Sequence, residues 1–224
     1  MIINDLLFIH IPKCGGTSIE YALVDSSNLS CMIKLYYKFI LFFYDLGKIY
    51  TKLRGLIFLP KWFNRVLFKI GNFCRYHMLF SESNFDKSKT FSLVRHPQSR
   101  LVSIYTFTKP KIDFNKFIEL VILKKYDLIY PNVNIDILDR IFLKQVEFIR
   151  GIPIENIYKL ENIEQDWIYI QNKFNLNFTY LKKHNSSNST NWKKYFKDKN
   201  NLVDKIYSFY IDDFTEFSYK KQYI

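Results

Sequence analysis

The chain of 224 residues is long enough for one large domain, and its 48% hydrophobic and 24% charged residues permit a buried core and exclude wholesale disorder. Lys and Arg number 33 against 21 Asp and Glu, a net charge of +12 that attracts anions without choosing between nucleic acid, acidic lipid, phosphorylated cofactor and polyanionic substrate. Cys14, Cys31 and Cys74 form no CxxC pair and no zinc-ligand spacing, so neither a zinc site nor a disulfide framework is expected.

Residues 6–11 (Leu-Leu-Phe-Ile-His-Ile) form a short apolar run stopped by Pro12, the pattern of a buried strand. Lys13-Cys14-Gly15-Gly16-Thr17-Ser18 reads as a tight loop, with a helix from Ser18 to Val24. Residues 31–75 depart from the rest. They hold Lys34, Lys38, Lys48, Lys52, Arg54, Lys61, Arg65, Lys69 and Arg75 against the single acid Asp45, with aromatic residues crowded between. Two readings stay open there: helices packing an apolar face on the core, or a basic amphipathic segment making peripheral membrane contact.

A second buried strand is expected at residues 90–95, ended by His96-Pro97 and followed by a helix to about Phe107. Helices are expected at about 115–125 and 137–149, a short strand at 156–160, and a helix at about 163–174. Residues 184–191 are polar enough for a loop, and a last helix runs over about 200–211. Strands alternating with helices predict an α/β fold: one three-layer domain over residues 1–224, with a mainly parallel central sheet flanked by helices. No signal peptide and no uncharged apolar stretch of about eighteen residues is visible, so a cytoplasmic protein is expected, membrane-associated if residues 31–75 make that contact.

The strand–Pro12-Lys13-Cys14-Gly15-Gly16-Thr17-Ser18–helix arrangement sets backbone N–H groups, a Lys and two hydroxyls at a helix N-terminus, which suits an anion better than an ordinary glycine turn does. Lys13 precedes the glycines, so the G-x-x-x-x-G-K-[ST] loop of nucleotide triphosphatases is not matched. A phosphatase thiolate at Cys14 needs an Arg six residues on, and position 20 is Glu. The second constellation is Val94-Arg95-His96-Pro97 with Arg100, Ser103 and Tyr105. A strand delivers Arg95 to its C-terminal end, where open α/β sheets bind ligands, and Ser103 follows about two helical turns later, so both can face one phosphate. Arg100 is free to be structural, pairing with an acid or capping a carbonyl.

Phe8-Ile9-His10-Ile11-Pro12-Lys13-Cys14-Gly15-Gly16-Thr17-Ser18 resembles the 5′-phosphosulfate loop of the sulfotransferases related to heparan sulfate 2-O-sulfotransferase and the Golgi carbohydrate sulfotransferases. The stretch Val94–Tyr105 resembles their 3′-phosphate motif. The likeness continues through Gln145–Ile149, Tyr158–Ile163 and Tyr210–Tyr219. The resemblance implies a P-loop-like fold and 3′-phosphoadenosine 5′-phosphosulfate as sulfuryl donor, a hydroxyl of a carbohydrate or similar acceptor, and no metal or nucleic acid. By the same resemblance Lys13, Cys14, Gly15, Gly16, Thr17 and Ser18 hold the 5′-phosphosulfate, with Lys13 also catalytic, while Arg95 and Ser103 hold the 3′-phosphate. His77 falls where relatives carry their catalytic base, and residues 185–191 fall where they close a loop on the nucleotide. A near-neutral imidazole suits a base, and a partly buried structural His77 is the alternative. Cys14 stands where Thr is commoner, and residues 31–75 have no recognised counterpart. Two other classes stay open: a nucleotide-dependent kinase, and a basic membrane- or nucleic-acid-binding module with a vestigial pocket.

Overall fold

The computed structural model describes residues 2–3, 5–26, 79–131, 133, 135–176 and 189–224. Strands β1 (Ile2–Ile3), β2 (Leu6–Ile9), β3 (Thr90–Val94) and β4 (Ile157–Lys159) form one sheet in the order β1-β2-β3-β4. The β2–β3 and β3–β4 pairs are parallel, with Phe8 opposite Phe91 and Leu93 opposite Tyr158, while the short β1 runs antiparallel to β2. Every residue of β2 and β3 is buried. That is the reason both strands read as continuous apolar runs: a parallel strand is covered on both faces.

Helices α1 (Gly16–Ser26), α2 (Pro97–Thr108), α3 (Phe114–Ile122), α4 (Tyr126–Ile129), α5 (Ile135–Phe142), α6 (Gln145–Ile149), α7 (Ile163–Lys173), α8 (Asn200–Phe209) and α9 (Ile211–Glu216) surround the sheet. Pro97 sits in the first turn of α2, where its missing N–H has no cost, and Asp113 caps α3 by accepting from the N–H groups of Asn115 and Lys116. One buried cluster joins the sheet to α1, α6 and α7. A second gathers α2, α3, α5, α8, α9 and the 3-10 run Ser189–Phe196. The expected α/β architecture with a parallel sheet and flanking helices is what the chain adopts.

Several element boundaries differ from the sequence reading, each for a local reason. The strand expected to reach residue 11 stops at Ile9, because the next carbonyls serve the loop: Ile11 accepts from the Cys14 N–H and Pro12 accepts from Arg100. The helix expected over 137–149 is two, broken at Leu143-Lys144. There the Leu143 carbonyl accepts from Arg100 Nη1, and the Asp213 carboxylate caps the first N–H groups of α6. The 115–125 helix ends at Ile122 and the chain restarts as α4, with Lys124 in the left-handed region at φ 54°. The last helix breaks at Tyr210, whose buried hydroxyl donates to the Phe142 carbonyl, and α9 follows. The basic segment 31–75, His77 and most of the polar loop at 184–191 lie outside the described residues. Among the described residues no helix is long and apolar enough to cross a membrane.

Candidate functional site

The loop between β2 and α1 lies at the C-terminal edge of the sheet, and its conformation follows from its neighbours. Lys13 and Gly15 both take left-handed backbone angles, φ 66° and 80°. For Gly15 this carries no Cβ penalty; for Lys13 it costs about 1–2 kcal/mol. The His10 ring packs so closely over Gly16 that an added Cβ would lie 2.2 Å from its Cδ2 atom. The same ring donates through Nδ1 to Glu20 on α1 at 2.9 Å, and both side chains are buried. His10 is thus the hydrogen-bonded core residue that its apolar surroundings suggest, and it fixes the loop to the helix that the loop opens. Helix geometry leaves the N–H groups of Gly16 and Thr17 without a carbonyl partner in their own helix, beside the hydroxyls of Thr17 and Ser18.

This packing makes a measurable prediction. Gly16→Ala is expected to lower stability by about 1–3 kcal/mol in denaturant unfolding, the usual cost of overpacking. In the His10→Ala background the same substitution should cost much less, so a double-mutant cycle shows coupling. Additive costs would mean that the ring is not the obstacle.

Arg95 follows β3, the strand next to β2. Its Nη1 donates to the Lys13 carbonyl at 3.2 Å, a contact across 82 residues, and its Nε donates to Ser99 Oγ at 2.9 Å. Burial pulls the Arg95 guanidinium below its ordinary pKa. Ser99, Ser103 and Phe107 recur every four residues on α2, one above another on one face. Ser99 touches Arg95 and the Phe107 ring lies 3.8 Å from the Lys13 ammonium, so Ser103, buried between them, lies on the stripe that faces the loop. Lys13 and Arg95 are therefore in contact, and the Ser103 face of α2 borders them. His77 lies outside the described residues.

A buried polar network holds the two motifs in register. The Gln145 side chain accepts from the Arg95 N–H and from the Cys14 thiol through Oε1, and donates through Nε2 to the Arg95 carbonyl and to Asp213. Asp213 in turn accepts from the backbone N–H groups of Gln145 and Val146. Burial raises its carboxyl pKa against the pull of those N–H groups and of Arg100. Arg100 is 2% exposed and donates to the carbonyls of Pro12, Ile141 and Leu143. Of the two structural roles open to it, carbonyl capping is the one it takes.

Behind Arg95, the His96 N–H donates to Glu161, which also accepts from the Tyr219 hydroxyl. The His96 ring stacks on Trp192 and donates through Nε2 to the Lys220 carbonyl, and its burial pulls the imidazole below its usual 6.5, so it is neutral at pH 7. The C-terminal strap continues along α2, where the Gln98 side chain exchanges two hydrogen bonds with the Gln222 backbone. Gln145, Glu161 and Asp213 lie in the stretches that continue the likeness, where motif reading gives them no role. The signal for Gln145 and Asp213 is chemical: both are buried polar residues, and burial demands a partner.

Burial pushes the Cys14 thiol up to about 12, and it donates rather than accepts. Such a group is a packing element and not a thiolate nucleophile. The donors at the mouth of the loop are cationic or neutral, and the nearby acid Glu20 is engaged by His10, which suits an anion of more than one charge. Among the described residues no group of three or more His, Cys, Asp and Glu could hold a metal ion. Residues 3–220 match the model of the sulfotransferase family. No curated protein and no solved structure matches the chain.

Proposed function

We propose that this chain, which belongs to the sulfotransferase family and so is a transferase of sulfuryl groups, takes the group from 3′-phosphoadenosine 5′-phosphosulfate and delivers it to a hydroxyl of a carbohydrate or similar acceptor. The observation that supports this most is the contact of the two motifs, Arg95 Nη1 on the Lys13 carbonyl at the ends of adjacent parallel strands. A donor with anionic groups at two positions needs two clamps within one molecule's reach.

In this reading the N–H groups of Gly16 and Thr17 and the hydroxyls of Thr17 and Ser18 hold the 5′ end, with Cys14 and Gly15 shaping the turn. Arg95 and Ser103 hold the 3′-phosphate. The donor supplies an activated sulfuryl group whose bridging oxygen departs with the nucleotide. Positioning and charge stabilisation then do most of the catalysis, as in phosphoryl transfer. Lys13 neutralises charge growing on the departing oxygen. His77 takes the acceptor's proton.

Calorimetric binding of 3′-phosphoadenosine 5′-phosphate, with transfer of radiolabelled sulfate to a glycan panel, tests the proposal. Arg95→Ala should weaken binding about 10- to 100-fold, the worth of a charge-assisted contact, with the fold intact but a lowered melting temperature, since the Lys13 carbonyl and Ser99 lose their donor. His77→Ala should spare binding and remove turnover; near-wild-type turnover would move the base to a neighbouring carboxylate. A wild-type chain that binds no nucleotide sinks the reading.

A further inference from the structure

We infer that Ser99 is a positioning residue that orients the Arg95 guanidinium and so sets the preference for a nucleotide phosphorylated at its 3′ position, an assignment that rests on the reading proposed above. Ser99 lies in the first turn of α2 and is 4% exposed. A guanidinium has donors and no acceptor, so in their 2.9 Å contact the Arg95 Nε–H donates and the Ser99 hydroxyl oxygen accepts. Hydroxyls on a helix commonly turn back to the carbonyl four residues before them. Thr106 and Thr108, farther along α2, do so with Val102 and Ile104. For Ser99 that carbonyl belongs to Arg95, and it accepts from the Gln145 side chain, while the Ser99 hydroxyl is turned to the guanidinium.

The consequence for Arg95 is geometric. Its guanidinium is a planar, rigid fork, and two of its donors are tied to different elements: Nε to α2 through Ser99, and Nη1 to the loop through the Lys13 carbonyl at 3.2 Å. Two such ties fix both the plane of the group and its rotation within that plane. Removing the Nε tie loosens that plane whatever else the guanidinium touches. Recognition of a phosphate by this group depends on direction, since parallel N–H bonds must meet two oxygens. Ser103 lies one turn beyond Ser99 on the same face of α2, so direct contact of Ser99 with the phosphate is the rival account. The two accounts differ in what they predict once Arg95 is removed: a residue that acts through Arg95 then has nothing to orient.

The test uses the full chain and calorimetric affinities for two probes, 3′-phosphoadenosine 5′-phosphate and adenosine 5′-phosphate, which differ only at the 3′ position. Ser99→Ala deletes one oxygen and leaves a good helix former, so the fold should hold. It should weaken the bisphosphate about three- to tenfold, the scale of one ordinary hydrogen bond, and leave the monophosphate within about twofold. In an Arg95→Ala background the same substitution should change neither affinity, so the double-mutant cycle shows full coupling. Wild-type affinity for the bisphosphate in Ser99→Ala would overturn the assignment. So would an equal loss for both nucleotides, which would make Ser99 a general support of the loop, or a loss that persists undiminished without Arg95, which would make Ser99 a direct phosphate contact. The comparison of the two nucleotides stands on Ser99→Ala alone, should Arg95→Ala prove too unstable to measure. A wild-type chain that binds neither nucleotide, or both equally, overturns the functional reading itself, and the role of Ser99 with it; a wild type that prefers the bisphosphate, with an insensitive Ser99→Ala, overturns Ser99 alone.

Discussion

Lys13→Met is expected to lower sulfuryl turnover by about 10²–10³-fold, the scale on which a single charge-stabilising group acts in a transition state. The fold should be unmoved, because Lys13 is only half-buried at the loop and Met meets the same left-handed backbone angle that Lys does. Lys13→Gly separates the two roles. It removes the ammonium and also relieves the strain at φ 66°, so it should lose activity equally while holding or gaining up to about 1 kcal/mol of stability. Single-turnover donor consumption and denaturant unfolding give both numbers from one preparation. A Lys13→Met variant with wild-type turnover would remove the lysine from the chemistry, whatever the nucleotide affinity proved to be.

The second large effect concerns stability. Arg100→Met keeps most of the side-chain volume but leaves the carbonyls of Pro12, Ile141 and Leu143 without their donor in a buried place. At about 1–3 kcal/mol for each abandoned acceptor the three together reach roughly 3–9 kcal/mol, comparable with the whole stability of a typical domain. The charge matters as well, since Arg100 opposes the burial that raises Asp213. Arg100→Met is therefore expected to unfold at physiological temperature or melt far below wild type, in circular dichroism or calorimetry. Arg100→Lys should fail to rescue it fully, because an ammonium cannot copy a planar fork of donors aimed at three carbonyls. If Arg100→Met melts within a few degrees of wild type, the carbonyl clamp is not what joins the loop to the helical half of the molecule.

The contrast between Arg95 and Arg100 shows what a sequence can and cannot disclose here. Both lie in one motif, five residues apart, and both are legible as cations near an anion site. Arg95 reads as a candidate ligand-facing group because it ends an apolar strand, where open α/β sheets place their ligands, and the structure sets its guanidinium on the Lys13 carbonyl. The partners of Arg100 are backbone carbonyls from segments that carry no side-chain signature, so its role emerges only in three dimensions. Strands β2 and β3 were legible for the same reason that they are buried: period and composition agree. The break between α5 and α6 was not, since an apolar pattern runs through it and the interruption comes from Asp213, far along the chain. Gln145 is the instructive case. Its environment is polar only because Cys14, Arg95 and Asp213 converge on it from three distant stretches.

That convergence has a bearing on the order in which the molecule assembles. The carboxylate of Asp213, the Tyr219 hydroxyl and the Lys220 carbonyl all brace the stretch around Arg95, while Arg95 and Arg100 secure the carbonyls of Lys13 and Pro12 near the other end of the chain. Contacts of such sequence separation must meet the entropy of closing long loops before they return any stability, which makes them late and slow to form. During synthesis, a nascent chain already carrying both motifs still lacks the residues that lock them together. The two motifs thus reach their joined arrangement only once α9 and the strap behind it are in place.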